Sequence, residues 1–554
     1  MKRTPRIILI LLLMLATALT IAFIVITNWF APGMKGADAK NGISVESKEN
    51  EEDPDHNQKL ILPEGDVVLQ VGQSRQCSVV FEDGSPAKNV FWSSSDEKIA
   101  RVDNTGRITA VAAGQTKLLA VVNKDVKTFV SVSVFEDIRT AAEDAVNALA
   151  TDGSVESMQR VDSIAISLSH ATDGGSADTA AVLKALSGFK AAGAKGSSDA
   201  PKLWNTLTQA AAASEMQFDE KTLRQAALAA YSHGEKESAD LTLTFTGDCT
   251  FGYFNELDTA ARFPYIYEHS GSVTYPFDLT RQVFAADDIT MINFEGTLTE
   301  STKHKRKQFY FRGKPEYVNI LPSSSVEAVT VENNHSYDYY DTGYNDTVDT
   351  LKKAGIFCTS RYDPAVIDVR DYRVVMLSLC LIDINFSDEY REQLENYIAR
   401  YKNNSTVIVM NLHWGIEMAG VPQKSQIKAA HEMIDAGVDL VIGNHPHVPQ
   451  GIERYNGHYI FYSLGNFSFG GNAKAKRPDT FMVRAMFGRD GDGKAVLKRF
   501  SVIPCLTTSS GSVVNNYRPT PLYGKRGQQL IDRLISLSSH LNGGVDRLTW
   551  NQIP

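Results

Sequence analysis

The feature that most restricts what this chain can become lies in its C-terminal half. There, apolar runs suited to β-strands repeatedly end in residues that bind metals. Leu241–Thr246 runs into Gly247-Asp248, and Ile289–Ile292 into Asn293-Phe294-Glu295-Gly296. Val326–Val331 leads to Asn333-Asn334-His335, Val407–Leu412 ends in His413-Trp414-Gly415, and Leu440–Ile442 in Gly443-Asn444-His445-Pro446-His447. Helix-like segments alternate with these runs, the mark of an α/β fold. In such folds ligands gather where strand ends meet loops, because the backbone is rigid there yet accessible. One strand-end histidine alone would read as a packing residue. Asp, Glu, Asn and His converging on several strand ends point instead to a metal site. Oxygen and imidazole donors together suit one or two ions of Mn, Fe or Zn rather than a thiolate-bound structural zinc.

These motifs, with Asp338, Val448-Pro449-Gln450 and Tyr462-Ser463-Leu464-Gly465-Asn466-Phe467, keep one order and spacing over Leu241–Cys505. The region resembles the CapA family, named for poly-γ-glutamate capsule synthesis, within the calcineurin-like metallophosphatase superfamily. The resemblance implies a four-layer α/β/β/α sandwich with metals at one edge of two packed sheets. It implies Asp248 as a ligand and participant in catalysis, Glu295 as the acid between two ions, and Asn334 as a ligand of the second. His413, His445 and His447 would complete the set, with His335 as general acid. Paired ions would lower the pKa of a shared water and stabilise displacement at phosphorus. His335 would protonate the leaving oxygen, a role that needs reach and a near-neutral pKa. Two departures stand out. Metallophosphatases carry His two residues after the first Asp, whereas Asp248-Cys249-Thr250 places Thr250 there; CapA proteins generally lack that His. Glu295 also replaces the usual Asp, one methylene longer.

The N-terminus constrains location. Lys2, Arg3 and Arg6 precede an uncharged, mostly apolar run from Ile7 to about Ile26, closed by Trp29 and Phe30. About 20 such residues span a bilayer as a helix, and the basic flank holds the N-terminus in the cytoplasm with the remainder outside. A single-pass anchor over 1–34 is the expectation. The competing reading is a signal peptide cleaved near Ala37-Asp38-Ala39, against which stand that site's distance and the length of the run. Both readings put the folded domains outside the cytoplasm. Residues 35–59 are polar and acidic and read as a flexible spacer.

From 60 to 136 short alternating runs separated by Asp83-Gly84 and Thr105-Gly106 read as a small β-sandwich. The residues Phe91-Trp92-Ser93-Ser94-Ser95-Asp96, Ile99-Ala100-Arg101-Val102-Asp103 and Gly106–Gly114 resemble the bacterial immunoglobulin-like group 2 domain. Trp92 is expected to fill its core. Residues 137–238 are alanine-rich, with helical stretches at Thr140–Leu149, Thr179–Leu186 and Lys221–Tyr231, and read as a helical connector without a catalytic constellation. The metallophosphatase-like domain is placed at 239–510, followed by a tail over 511–554.

Net charge of −9 over 554 residues argues against nucleic acid as a partner. Five cysteines at 77, 249, 358, 380 and 505 show neither disulfide-scaffold density nor zinc-ribbon spacing. Cys249 reads as a packing residue. The basic cluster Lys303-His304-Lys305-Arg306-Lys307 reads as a solvated loop or a contact for a polyanion. Arg312, Asn293 and Asn466 are candidates for touching substrate, though Asn466 serves equally well to brace the histidine loop. The favoured function is capsule or envelope polymer synthesis or export, with an anionic polymer or envelope precursor and other membrane components of a synthesis complex as partners. The alternatives are a non-catalytic assembly scaffold, a metallophosphoesterase unrelated to capsule, and an adhesin.

Overall fold

Period-two alternation builds the first folded region. The computed structural model describes residues 59–554 apart from 64–66, 124–125, 169–173, 215, 255–259 and 383. The apolar N-terminal run and most of the acidic spacer lie outside the described residues. Among the described residues no helix is long and apolar enough to cross a membrane. A four-stranded sheet orders Val67–Gln70, Lys127–Phe135, Gly114–Val121 and Phe91–Ser94, and a three-stranded sheet orders Ser74–Gln76, Arg107–Ala110 and Ala100–Val102. Leu118, Val130, Val132 and Val134 of the first meet Ile108 and Ala110 of the second in a common core. Trp92 does not fill that core as expected. It lies half-buried on the edge strand and packs against two adjoining apolar clusters.

The alanine-rich segment forms five helices: α1 (Ile138–Thr151), α2 (Val155–Leu168), α3 (Gly174–Lys195), α4 (Ala200–Ala213) and α5 (Glu220–Glu237). Small side chains let them approach closely: a Cβ on Gly234 of α5 would lie 1.8 Å from the Lys190 carbonyl oxygen of α3. Asp219 caps α5, its carboxylate accepting from the Thr222 amide at 2.7 Å.

The strands and helices that follow are β1 (Leu241–Thr250), β2 (Ile289–Phe294), β3 (Ala328–Thr330), α6 (Tyr340–Lys353), β4 (Phe357–Thr359), β5 (Ala365–Val369) and β6 (Tyr372–Leu381). They continue with α7 (Asp388–Tyr401), β7 (Thr406–Trp414), α8 (Lys424–Ala436), β8 (Leu440–Asn444), β9 (Ile452–Tyr455), β10 (His458–Phe461) and β11 (Asn466–Phe469). The last are β12 (Asp479–Arg489), β13 (Ala495–Leu506), β14 (Thr520–Pro521) and α9 (Gly524–Ser538). Sheet one runs β4-β3-β2-β1-β12-β13-β14, with β11 also paired to β1; sheet two runs β5-β6-β7-β8-β10-β9. Strands β1 to β4 are mutually parallel, as are β6, β7, β8 and β10.

Both sheets are apolar on both faces, as expected of parallel strands buried on two sides. Leu241, Leu243 and Phe245 of β1 meet Val407 and Val409 of β7 between the sheets. The far face of sheet one, with Ile292 and Val329, packs on the helical segment and α6. The far face of sheet two, with Ile408 and Met410, packs on α7 and α8. The layers are therefore helix, sheet, sheet, helix.

Two sequence boundaries dissolve in this packing. The helical segment forms part of an outer layer of the α/β domain. Arg484 of β12 is fully buried beneath α5, donating from Nε to Glu235 Oε2 at 2.8 Å and from Nη2 to the Ser232 carbonyl at 3.1 Å. Nor is 511–554 a tail. β14 extends sheet one, while Leu530, Ile531 and Leu534 of α9 and Trp550 join the core between the sheets. Their apolar periodicity needs that surface to be buried. All five cysteines are free.

Candidate metal centre

Strand register gathers the candidate ligands at one edge of the two sheets. In sheet one Asp248 pairs with Asn293 of β2 and with Asn466 of β11, and in sheet two His413 pairs with Asn444. The β1 backbone reaches this register through an irregularity between Phe245 and Asp248. Gly247 is required there: a Cβ would lie 1.8 Å from the Gly465 carbonyl oxygen, which accepts from the Asp248 amide at 3.0 Å. His445 and His447 both carry positive φ, +96° and +57°. Non-glycine residues adopt such angles at a cost and persist there when the surroundings hold them.

Asp248 Oδ2 lies 3.1 Å from His447 Nδ1, and its Oδ1 accepts from Asn293 Nδ2 at 2.7 Å. Glu295 Oε1 lies 3.9 Å from His447 Nε2, 3.9 Å from His413 Nε2 and 3.6 Å from His335 Nε2. Asn334 Oδ1 sits 2.9 Å from His413 Nε2. Ligand atoms of Asp248, Glu295 and His447 fall within 4.8 Å of one another. Both carboxylate oxygens of Glu295 are buried without a hydrogen-bond partner, as is His445 Nδ1. A buried carboxylate left so bare is costly unless a cation meets it. The donor set therefore fits a divalent metal.

The electrostatics agree. Burial and the neighbouring Asp248 push the Glu295 carboxyl well above the usual carboxylate range. Burial pulls His447 down, but the Glu295 and Asp248 carboxylates outweigh it and raise His447 to about 10. Burial and the adjacent His447 lower His445 to about 4, and burial with His445 and His447 takes His413 well below its ordinary value. The raised Glu295 and His447 mark a buried pocket where negative charge is concentrated, which a divalent ion would neutralise.

His335 is set apart from these ligands by its partner. Its Nδ1 lies 2.7 Å from Asp338 Oδ2, its ring packs on Phe311, and Nε2 faces Glu295. Burial lowers its pKa while Asp338 raises it, the net shift being downward. Asp338 is in turn held by the Phe311 amide at 2.7 Å and by Lys307.

Other expected residues serve different ends. Asn293 is buried and braces Asp248 and His413, with Nδ2 3.2 Å from His413 Nδ1, rather than opening to substrate. Asn466 Oδ1 lies 2.8 Å from His447 Nδ1 and so braces the histidine loop. Arg312 Nη1 donates to the Ser301 carbonyl at 3.0 Å, and its guanidinium lies over the Tyr339 ring. The basic cluster is no free loop: Lys307 also donates to the Asn334 carbonyl at 3.0 Å, and His304 stacks on Tyr310. Thr250 donates its hydroxyl to the Glu295 carbonyl at 2.7 Å and offers no ligand. Cys249 is fully buried, its thiol pushed up to about 12 by that burial.

Sequence reasoning missed two features. One is Glu417, four residues beyond His413, whose carboxylate lies within 4.8 Å of ligand nitrogens of His445 and His447. The other is a cavity of about 540 Å³ that His447 and Asn466 line on one side and Arg262, Lys474, Lys476 and Arg477 on the others. No acidic residue is among its described lining residues. Arg262 stacks on Tyr253 at 3.6 Å. The run Lys474-Ala475-Lys476-Arg477, basic in an acidic chain, was the available signal.

Residues 242–471 match the bacterial capsule synthesis protein PGA_cap family, and residues 59–132 match the bacterial Ig-like domain (group 2). A protein of Bacillus subtilis (strain 168) named PGA biosynthesis protein CapA is 28% identical over 48% of this chain and 71% of its own length. The Capsule biosynthesis protein CapA of Bacillus anthracis is 28% identical over 44% of this chain and 63% of its own. The solved structure described as GAP50, the anchor in the inner membrane complex of Plasmodium, is 12% identical. It covers 51% of this chain and 89% of that one, with a TM-score of 0.27.

Proposed function

From a chain that joins a bacterial Ig-like domain to a capsule-synthesis domain of the PGA_cap family, we propose a metal-dependent hydrolytic site outside the cytoplasm. It would act on an anionic envelope polymer or its precursor in capsule or poly-γ-glutamate synthesis or export. The observation that carries the reading is Glu295, fully buried with two unpartnered oxygens, facing Asp248 and three histidines. Asp248, Glu295, Asn334, His413, His445 and His447 would hold one or two divalent ions of Mn, Fe or Zn type. When bound, such ions supply an activated water and stabilise developing negative charge. The chain's own residues do the rest. Asp338 fixes the His335 ring through Nδ1 and offsets part of the burial that lowers its pKa, which leaves Nε2 facing Glu295 and placed to pass a proton to a leaving group. The cationic cavity beside His447 holds the anionic chain by charge, and the aromatic Tyr253 and Phe469 narrow it. The basic and apolar N-terminal segment would tether this arrangement to the membrane, with the Ig-like domain as a spacer.

A second reading, a non-catalytic polymer scaffold, is favoured by Thr250, which leaves one metal position without its usual histidine. The two readings separate experimentally. Elemental analysis of the purified full-length protein should find a transition metal that Asp248→Ala and His447→Ala lose. A metal-free wild type sinks the hydrolytic reading. With metal present, a screen of phosphomonoesters, phosphodiesters and polyglutamate should show turnover that His335→Ala reduces. Equal background rates in both proteins favour the scaffold.

A further inference from the structure

We propose that Glu417 is a metal ligand, acting with His445 and His447; this rests on the metal reading above. Two independent observations meet here. The first is the carboxylate itself, within 4.8 Å of ligand nitrogens of both histidines. The second is His445, whose ring is 4% exposed and whose Nδ1 has no hydrogen-bond partner. A buried imidazole nitrogen without a partner is an uncompensated acceptor or donor, and a cation between it and a carboxylate satisfies both.

The loop carrying Glu417 is built to stay there. Met418, the next residue, sits at φ +62° and donates its amide to the Pro446 carbonyl at 2.8 Å, between the two histidines. Arg477 Nη1 donates to the Met418 carbonyl at 3.0 Å, and Gln450 Nε2 to the Ala419 carbonyl at 2.9 Å. The turn after β7 is thus tied at three points to the histidine loop and to the wall of the cationic cavity. Glu417 itself is exposed, so its carboxylate meets solvent as well as the two histidines. The charge also has consequences. A carboxylate ligand adds a negative charge to the site, which favours harder divalent ions such as Mn over softer ones. It also lies closer to solvent than Glu295.

The test is divalent-ion binding by titration calorimetry and elemental analysis on the full-length protein, using Mn and Zn salts. Glu417→Gln should weaken or empty one position by at least tenfold while leaving the other occupied. His445→Ala should affect the same ion, and the double variant should bind that ion at least as weakly as the worse single variant while the other ion stays bound. Glu395→Gln, an exposed change of equal charge on α7, serves as control and should bind as wild type. Thermal melts of the metal-free proteins should coincide for wild type and Glu417→Gln. Wild-type affinity and stoichiometry in Glu417→Gln overturn this assignment and leave the proposed function standing. A wild type that binds no metal overturns both.

Discussion

The Arg484–Glu235 pair offers the sharpest test of how this molecule is built, because it joins a helix read as a connector to a strand of the α/β sheet. Arg484 is fully buried, and besides Glu235 its guanidinium donates to the Val283, Ser232 and Ala286 carbonyls at 2.9–3.1 Å. Every one of these partners is neutral except Glu235, at 1% side-chain exposure. Glu235→Ala therefore leaves a satisfied but unbalanced charge in a dry interface. Removing one partner of a buried pair costs about 3–5 kcal/mol. With a urea slope on the order of 3 kcal/mol/M, the unfolding midpoint should fall by roughly 1 M or more. The pair Glu235→Leu with Arg484→Met replaces both charges by apolar groups, and should recover most of that loss. Urea unfolding followed by tryptophan fluorescence and far-UV dichroism reads both variants. A midpoint shift corresponding to less than about 1 kcal/mol for Glu235→Ala refutes the reasoning. So does a double variant as damaged as Glu235→Ala alone, since the cost of an orphaned buried charge could not then be the cause.

Three further outcomes are expected. Asp338→Asn should lower turnover by about 10²–10³-fold through a mispositioned His335, while metal content by elemental analysis stays at wild-type level. Replacing Lys474, Lys476 and Arg477 by Ala should weaken polyglutamate binding about tenfold, at roughly 0.5 kcal/mol per exposed charge, and flatten its salt dependence in a fluorescence titration. Trp550→Ala should destabilise the α/β domain by about 3–5 kcal/mol in the same urea assay, because its ring fills the core between the sheets. A deletable tail would show no change.

Much of the site was legible because a strand end is a local event. The run of β1 into Asp248, of β2 into Glu295 and of β7 into His413 each follows from alternation and length, and the common edge follows from parallel strands. The same reasoning misplaced residues whose role depends on what lies across the gap. Asn293 sits at a strand end like the others, but only the packing of sheet one against sheet two sets its amide between Asp248 and His413. Trp92 carried the marks of a core residue, yet its strand lies at a sheet edge and leaves the ring half-buried.

What the sequence determined alone was the set of candidate ligands and the order of the parts. Each candidate ligand's attachment to its strand end, and each motif of the Ig-like segment ahead of them, is encoded within a few neighbouring residues. What only the tertiary structure decided was which separate segments become one body. The helical segment is an outer layer because Arg484 needs Glu235, and residues 511–554 are core because Trp550 and α9 bury against both sheets. Glu417 comes within 4.8 Å of His445 and His447 in a turn whose Met418 amide binds the Pro446 carbonyl. Each of these depends on contacts between residues far apart in the chain, and periodicity carries information only about near neighbours.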